Sequence, residues 1–227
     1  MAPELERSAA LLGEDAMARL ARMRVLLVGV GGVGSWCAEA LVRTGLGHLT
    51  IVDDDVVQPS NANRQLPATA RTVGRRKVDA LKERLAEVRP AADVAAVAAR
   101  WTAEGAAGVE LRDFDCVVDA IDSVAEKAAL VRAAAAAGVP VFASMGAALR
   151  VDPTQVRVSP FSKVAGDGLA RALRRRFKKD GLGPAPEFVC VHSAEPPLDA
   201  PARGSVMPVT AAFGMALASL ALERARA

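Results

Sequence analysis

Cysteine and histidine are scarce in this sequence of 227 residues, and their placement argues against several kinds of site. The three cysteines, Cys37, Cys116 and Cys190, are odd in number and widely spaced, which disfavours a disulfide framework and a Cys-x-x-Cys zinc site. A reducing, cytoplasmic setting is therefore expected. Neither of the two histidines, His48 and His192, has a partner at the spacing of a catalytic triad, so both are expected to be structural.

Aromatic residues and long apolar runs are also few. Only 4% of the residues are aromatic and none is tyrosine, which leaves few platforms for stacking nucleic-acid bases. No apolar run follows a basic start at the N-terminus, so we expect no secretory signal. The segment Ser205–Leu222 carries no charge but contains Pro208 and Gly214, and this composition predicts a buried C-terminal helix rather than a membrane span.

The most informative stretch begins with an apolar strand, Val25–Val28, that leads into a G-x-G-x-x-G motif and then into a helix expected to begin near Gly32. Glycine lets a phosphate approach the backbone closely, and a helix start offers free N–H groups and a positive dipole end. Asp53 follows the second strand, Leu49–Val52, where a carboxylate can accept hydrogen bonds from a ribose. We therefore predict a nucleotide site, and its glycines are Gly29, Gly31, Gly32 and Gly34.

The residues after Asp53 indicate which nucleotide is expected. A nicotinamide oxidoreductase would show the same glycines and the same acid. Such an enzyme does not need the cluster of amide and cationic side chains that follows Asp53. An enzyme that cleaves a triphosphate does need them, because these donors stabilise the negative charge that develops on the phosphate oxygens. The side chains expected to bind the triphosphate here are Asp55, Asn61, Asn63, Arg64, Gln65 and Lys77. The alternative interpretation is a polar surface loop followed by a solvated basic helix.

Strands and helices alternate as far as residue 144, which predicts a Rossmann-like, doubly wound, mostly parallel α/β sheet. Ligands of such sheets bind at the carboxyl ends of strands, so Asp122, after the strand Asp115–Asp119, is a candidate Mg²⁺ ligand. Capping the next helix is its alternative role. Further on, Thr154–Val158 and Phe188–His192 predict an antiparallel extension. We expect one domain, residues 1–227, with a helical arm at residues 1–23.

A basic run, Arg171–Lys179, contains six cationic residues among nine. The charged face of an exposed helix is its simpler interpretation, and a strip that contacts phosphodiesters is the alternative. The net charge of +3 and the pI of about 9.0 permit a polyanionic partner without requiring one.

With these motifs in order along the chain, the sequence resembles the ubiquitin-activating-enzyme-like superfamily, and within it the tRNA threonylcarbamoyladenosine dehydratases. The resembling stretches include SNANRQLPA and VVDAIDSVAEKAAL and extend from about residue 11 to residue 217. The resemblance implies an ATP-dependent cyclisation of the threonylcarbamoyl group on the adenosine next to the tRNA anticodon, through adenylation of its carboxylate. A second possibility within the superfamily is an adenylyltransferase that activates the C-terminus of a small sulfur-carrier or ubiquitin-like protein.

The resemblance also implies roles for individual residues. Asp53 would bind the ribose, Arg64 and Lys77 would act on the phosphates, and Asp122 would bind Mg²⁺. It further implies a homodimer formed through the sheet and the C-terminal elements. Members of the superfamily often supply an arginine from the partner's N-terminal arm, and Arg7 is the candidate in this chain.

Overall fold

A central sheet organises the computed structural model, which describes residues 2–106, 108–181 and 185–226. Its seven strands are β1 (Arg24–Val28), β2 (His48–Val52), β3 (Asp93–Val97), β4 (Cys116–Asp119), β5 (Val141–Ser144), β6 (Val156–Pro160) and β7 (Val189–Ser193). Their order across the sheet is β3-β2-β1-β4-β5-β7-β6. All neighbouring strands are parallel except β6 and β7, which are antiparallel. The predicted mostly parallel sheet with an antiparallel extension is confirmed.

Helices cover both faces of the sheet, as a parallel sheet requires. Among the described residues they are α1 (Glu6–Leu12), α2 (Glu14–Arg22), α3 (Gly34–Thr44), α4 (Lys77–Val88), α5 (Val124–Ala137), α6 (Gly168–Lys179) and α7 (Met207–Arg226). On one face α3, α4 and α7 build a core around Leu41 and Phe213. On the other face α5 and α6 pack around Leu130 and Phe177.

The C-terminal helix α7 confirms the prediction of a buried helix in Ser205–Leu222, although it begins two residues later, at Met207. Its apolar side packs against α3. A Cβ on Gly214 would lie only 2.5 Å from the carbonyl oxygen of Val33, so glycine is what allows α7 to approach the start of α3 this closely. Within the described part of the chain, no helix combines the length and apolar character that crossing a membrane requires.

Several predicted boundaries were wrong by a few residues. Helix α3 begins at Gly34 rather than near Gly32, because the residues between β1 and the helix form a turn. Strand β4 lacks Asp115, whose side chain instead accepts a hydrogen bond from the backbone N–H of Arg24 at 2.8 Å. Strand β6 begins at Val156 because the three residues before it form a 3-10 turn.

The N-terminal arm is two helices, α1 and α2, joined at Gly13, whose φ of +82° suits glycine. Arg19 attaches α2 to the end of the chain, since its Nε donates to the carbonyl oxygen of Ala225 at 2.7 Å. Both helices lie within the range predicted for a helical arm, residues 1–23, and Met1 lies outside the described residues.

Candidate active site

The carboxyl ends of β1, β2, β4 and β5 open into a cavity of about 700 Å³. This is the point where the strand order reverses, between β1 and β4, and ligands of open α/β sheets bind at such a point. The predicted site residues that line the cavity are Gly29, Gly31, Gly32, Asp53, Asp55, Asn61, Arg64, Gln65, Lys77 and Asp122. Two predicted residues, Gly34 and Asn63, do not line it.

The glycines of the motif serve different purposes. Gly29 has a φ of +89°, and a Cβ there would lie 2.8 Å from the carbonyl oxygen of Ala120, so this glycine permits the tight turn after β1. Gly34 packs directly against the carbonyl of Gly29 and allows the helix to approach the strand. Gly31 is different, because a Cβ there would find only Nε2 of Gln65, at 3.7 Å. Of these three positions, Gly31 is therefore the one where the backbone is open to a ligand.

Asp53 is held in place by backbone donors. One of its carboxylate oxygens accepts from the N–H of Val30 at 2.8 Å, and the other accepts from the N–H of Asp55 at 2.9 Å. Burial raises the pKa of Asp53, although these hydrogen bonds and the charge of Lys77 oppose the change. The carboxylate thus has a fixed position beside the glycine turn, as a hydrogen-bond acceptor for a ribose must.

Lys77 is the first residue of α4, and its side chain is only 7% exposed. Its Nζ lies 2.6 Å from a carboxylate oxygen of Asp55, and its backbone N–H donates to the carbonyl oxygen of Asp55 at 3.0 Å. The loop between β2 and α4 therefore closes on itself and brings the lysine back to the end of β2. A cation held in this way in the cavity wall can interact with phosphate charge.

Arg64 is positioned by three neighbours. Its Nη1 donates to the Oδ1 of Asn63 at 2.7 Å and to the carbonyl oxygen of Ser60 at 3.2 Å, while the indole of Trp36 donates to the Arg64 carbonyl at 3.0 Å. Asn63 also donates to the carbonyl oxygen of Ser205 at 2.9 Å. Asn63 therefore does not line the cavity, but it orients Arg64 and connects this loop to the segment before α7.

The other two amides of the loop behave differently. Asn61 accepts from the backbone N–H of Gln58 at 3.0 Å, and this hydrogen bond shapes the loop. Gln65 is buried, and its Oε1 has no hydrogen-bond partner among the described residues. Because buried polar atoms are rarely left without a partner, the Gln65 side chain at this wall has unused capacity to bind a ligand.

Carboxylates concentrate on one side of the cavity. Arg100, which sequence reasoning missed, lies 3.1 Å from Asp54 and 3.4 Å from Glu126. Burial raises the pKa of Glu126, the charge of Arg100 opposes this change, and the nearby carboxylates of Asp54, Asp122 and Asp55 add to it. Asp122 is exposed to the cavity and forms no ion pair with any residue the structure describes. Oxygen donors of this kind suit Mg²⁺, so the residues present fit the predicted metal.

The helix-capping alternative for Asp122 and Ser123 is not what the structure shows. Ser123 occupies the N-cap position of α5, but neither it nor Asp122 makes a side-chain capping hydrogen bond in the described chain. The segment Ala120–Ser123 is instead stabilised by buried residues of β4 and α5. Asp119 and Lys127 form a completely buried ion pair at 2.8 Å, and Asp119 also accepts from the N–H of Ile121 at 3.0 Å. Lys127 gave no signal in the sequence beyond its place on a predicted helix.

The wall opposite the glycine turn consists of Ser144–Ala148, which follows β5. Gly146 is fixed there by a buried pair: its N–H donates to Asp167 at 3.0 Å, and its carbonyl accepts from Arg150 at 2.8 Å. Sequence reasoning missed this wall, although its place at the carboxyl end of a strand could have indicated it.

The cysteines and histidines agree with their predicted structural roles. All three cysteines are buried and free, and burial raises the pKa of both Cys116 and Cys190 to about 12. A thiol of that kind is a poor nucleophile near neutral pH. His192 contacts Ser159 at 3.0 Å, and His48 contacts Asp93 at 3.1 Å, both away from the cavity.

Comparison with known proteins places this geometry in a family. The tRNA threonylcarbamoyladenosine dehydratase of Escherichia coli (strain K12) is 40% identical over 173 residues, which are 76% of this chain and 65% of that protein. The corresponding protein of Bacillus subtilis (strain 168) is 36% identical over 182 residues, which are 80% of this chain and 72% of that protein. The chain thus spans about two thirds of the length of these relatives.

A solved structure agrees over nearly the whole chain. The crystal structure of the E. coli dehydratase in complex with ATP matches with a TM-score of 0.89 at 36% identity, covering 98% of this chain and 93% of that one. The predicted resemblance to these dehydratases is confirmed. A model of the ThiF family matches residues 5–225. The chain therefore belongs to the ThiF family.

Proposed function

We propose that this protein catalyses the ATP-dependent dehydration of threonylcarbamoyladenosine in tRNA, next to the anticodon. The observation that carries the proposal is the single cavity that brings together the open backbone at Gly31, the fixed carboxylate of Asp53 and the cations Arg64 and Lys77. Similarity to dehydratases, one of them solved with ATP bound, supports the choice of reaction.

The reaction requires activation of a poor electrophile. In the first step, a carboxylate oxygen of the threonyl group attacks the α-phosphorus of ATP, and the bond to the β-phosphate breaks to release pyrophosphate. In the second step, a nitrogen or oxygen of the same modified side chain attacks the acyl carbon, closes a ring and expels AMP. The two steps together remove the elements of water, with the carboxylate oxygen leaving on AMP.

The side chains of the chain itself account for the first step. Asp53 would accept hydrogen bonds from the ribose, and the backbone at Gly31 would allow the phosphates to lie against the turn. Arg64 and Lys77 would neutralise the charge that develops as pyrophosphate leaves, and the unpaired amide oxygen of Gln65 would help to orient the nucleotide. The preorganisation of Arg64 by Asn63 lowers the reorganisation needed at that moment.

Mg²⁺ would be held by Asp122, a cavity carboxylate that is exposed and forms no ion pair in the described chain, and it would neutralise charge on the phosphates. Asp54 and Asp55 lie close by, but they are already paired with Arg100 and Lys77. Asn61 completes the set that we assign to the nucleotide.

We also propose that the protein forms a homodimer in a reducing cytoplasm, as its buried free thiols permit. The resemblance implies a dimer formed through the sheet and the C-terminal elements, and exposed apolar side chains are found in β6, in α7 and in the loops before them. They are Val151, Val158, Leu198, Met207 and Met215, each more than 40% exposed. Strand β6 is the outermost strand of the sheet in the described chain and packs against α7, so a second subunit could cover both.

The experiment that tests the function is ATP–pyrophosphate exchange with two alternative acceptors. Exchange stimulated by tRNA that bears the threonylcarbamoyl group, together with a nucleoside product lighter by one water molecule in the mass spectrum, is the expected result. Stimulation by a small sulfur-carrier protein alone would favour the adenylyltransferase alternative and overturn the proposal.

A further inference from the structure

Helix α6 carries six cations, and the structure divides them into two groups. Arg174 is committed to the protein, because its Nη2 donates to the carbonyl oxygens of Phe161 at 2.7 Å and Val164 at 2.6 Å. Arg176 pairs with Asp180 at 2.9 Å. These two arginines stabilise the fold, and a role in binding a partner is not needed to explain them.

The remaining cations are exposed, and none forms an ion pair with another residue that the structure describes. Three of them, Arg171, Arg175 and Lys178, follow one another at i, i+4 and i+7, and we call them the basic stripe. Such spacing places side chains on one line along a helix, here about 10 Å long. Lys179 lies next to the stripe.

The stripe differs from an ordinary solvated helix face. Exposed faces usually intersperse charges of both signs, as α4 does with Asp79, Lys82 and Glu83. Helix α6 contains no acidic residue between its Asp167 cap and Asp180, and its other face is buried. A line of one sign favours a polyanionic partner over solvent alone.

The stripe also has a definite place relative to the cavity. Asp167, the N-cap of α6, accepts from the N–H of Ala170 at 2.8 Å and from the N–H of Gly146 at 3.0 Å. Gly146 and Leu169 both line the cavity. The helix therefore starts at the cavity wall, and the stripe begins at Arg171, within one helical turn of it.

We propose that the basic stripe binds the sugar–phosphate backbone of the tRNA anticodon arm, beside the nucleoside that enters the cavity. This inference rests on the proposed function, which requires one nucleoside of a long polyanion to reach the cavity. The phosphates that flank it must then leave along the protein surface, and the stripe is a line of cations that starts there. Phosphate contacts position a nucleic acid without reading its sequence, so the stripe sets affinity and orientation.

The test is the salt dependence of tRNA binding by a triple variant, Arg171→Ser/Arg175→Ser/Lys178→Ser. Each phosphate contact on single-stranded RNA contributes about 0.7 to the slope of log K against log [salt], so the slope should fall by about 2. At 0.1 M salt the same arithmetic gives about a hundredfold weaker binding. With modified tRNA, KM should rise while kcat at saturation stays unchanged.

A matched control removes three exposed cations elsewhere, in Arg22→Ser/Lys82→Ser/Arg112→Ser, and should keep most of the slope. Arginine-to-lysine changes within the stripe should also keep it, because charge alone is required. Unchanged ATP affinity establishes that the triple variant is folded.

An unchanged salt slope in the folded triple variant, with the wild type active on modified tRNA, would overturn the inference. The basic stripe would then be assigned to an acidic protein partner. Failure of the proposed function has a different signature, since the wild type itself would then leave modified tRNA unaltered.

Discussion

Replacing Gly31 by alanine should abolish ATP binding and leave the fold intact. The added methyl group would meet only Nε2 of Gln65, at 3.7 Å, and the φ angle of Gly31 lies outside the left-handed region. At such a position a glycine-to-alanine change stabilises a protein by about 0.4–1 kcal/mol, because it restricts the unfolded chain. The same methyl group would occupy the surface against which we place the phosphates.

Replacing Gly29 by alanine provides the matched contrast. Its φ of +89° costs alanine about 1–2 kcal/mol. The new Cβ would also lie 2.8 Å from the backbone oxygen of Ala120, which has to move. In a domain of this size, 1 kcal/mol corresponds to about 2–4 °C in Tm, so strain alone should lower the Tm by about 2–8 °C.

Thermal unfolding with and without ATP separates the two effects. At a hundred times its Kd, ATP should stabilise the wild type by about 2.7 kcal/mol, or roughly 5–11 °C. The Gly31→Ala variant should unfold at or slightly above the wild-type temperature and show no shift with ATP. The Gly29→Ala variant should unfold early even without ligand. A full ATP shift in Gly31→Ala would refute the placement of the phosphates.

Three further predictions concern other residues. Lys77→Met keeps the buried stem but removes the charge, so ATP–pyrophosphate exchange should fall about 10²–10³-fold, and a loss below tenfold would contradict its role. If Arg7 completes the partner's site, the Arg7→Ala and Arg64→Ala variants should each be inactive alone. In an equal mixture of the two, mixed dimers should have one intact site each, so the mixture should recover up to about a quarter of wild-type activity. No recovery would exclude a role of Arg7 in the partner's site. Burial lowers the pKa of His192, so its imidazole is protonated at a higher pH in the unfolded chain than in the folded protein. Stability should therefore decline below about pH 6.5 by at most about 1.4 kcal/mol per pH unit, and urea titrations at pH 7 and 5.5 should show a smaller loss for His192→Gln.

The sequence predicted the site where local spacing fixes geometry. The turn after β1 and the position of Asp53 at the end of β2 depend on neighbouring residues, and both were found in the expected places. Lys77 could be expected because the first turn of α4 follows the polar loop. Residues that reach the cavity from distant segments, such as Arg100 and Gly146, could not be identified from spacing.

The glycines of the motif have different roles that the sequence does not reveal. In sequence, Gly29, Gly31 and Gly34 are equivalent members of one pattern. In the structure, Gly29 packs against Ala120 and Gly34 packs against Gly29, so only Gly31 of these three is open to a ligand. Likewise Asn63 and Asn61 look alike in the loop, although only Asn61 lines the cavity, whereas Asn63 donates a hydrogen bond to the carbonyl oxygen of Ser205. Tertiary contacts of this kind determine where a side chain points, and such contacts cannot be predicted from a local sequence pattern.

The close contact at Gly214 has a consequence for substitutions at that position. Helix α7 supplies Thr210 to the cavity and packs against α3, the helix that follows the glycine turn. A side chain at position 214 would collide with the carbonyl oxygen of Val33 and push the two helices apart. Such a change would therefore displace one wall of the cavity, although Gly214 itself does not line it.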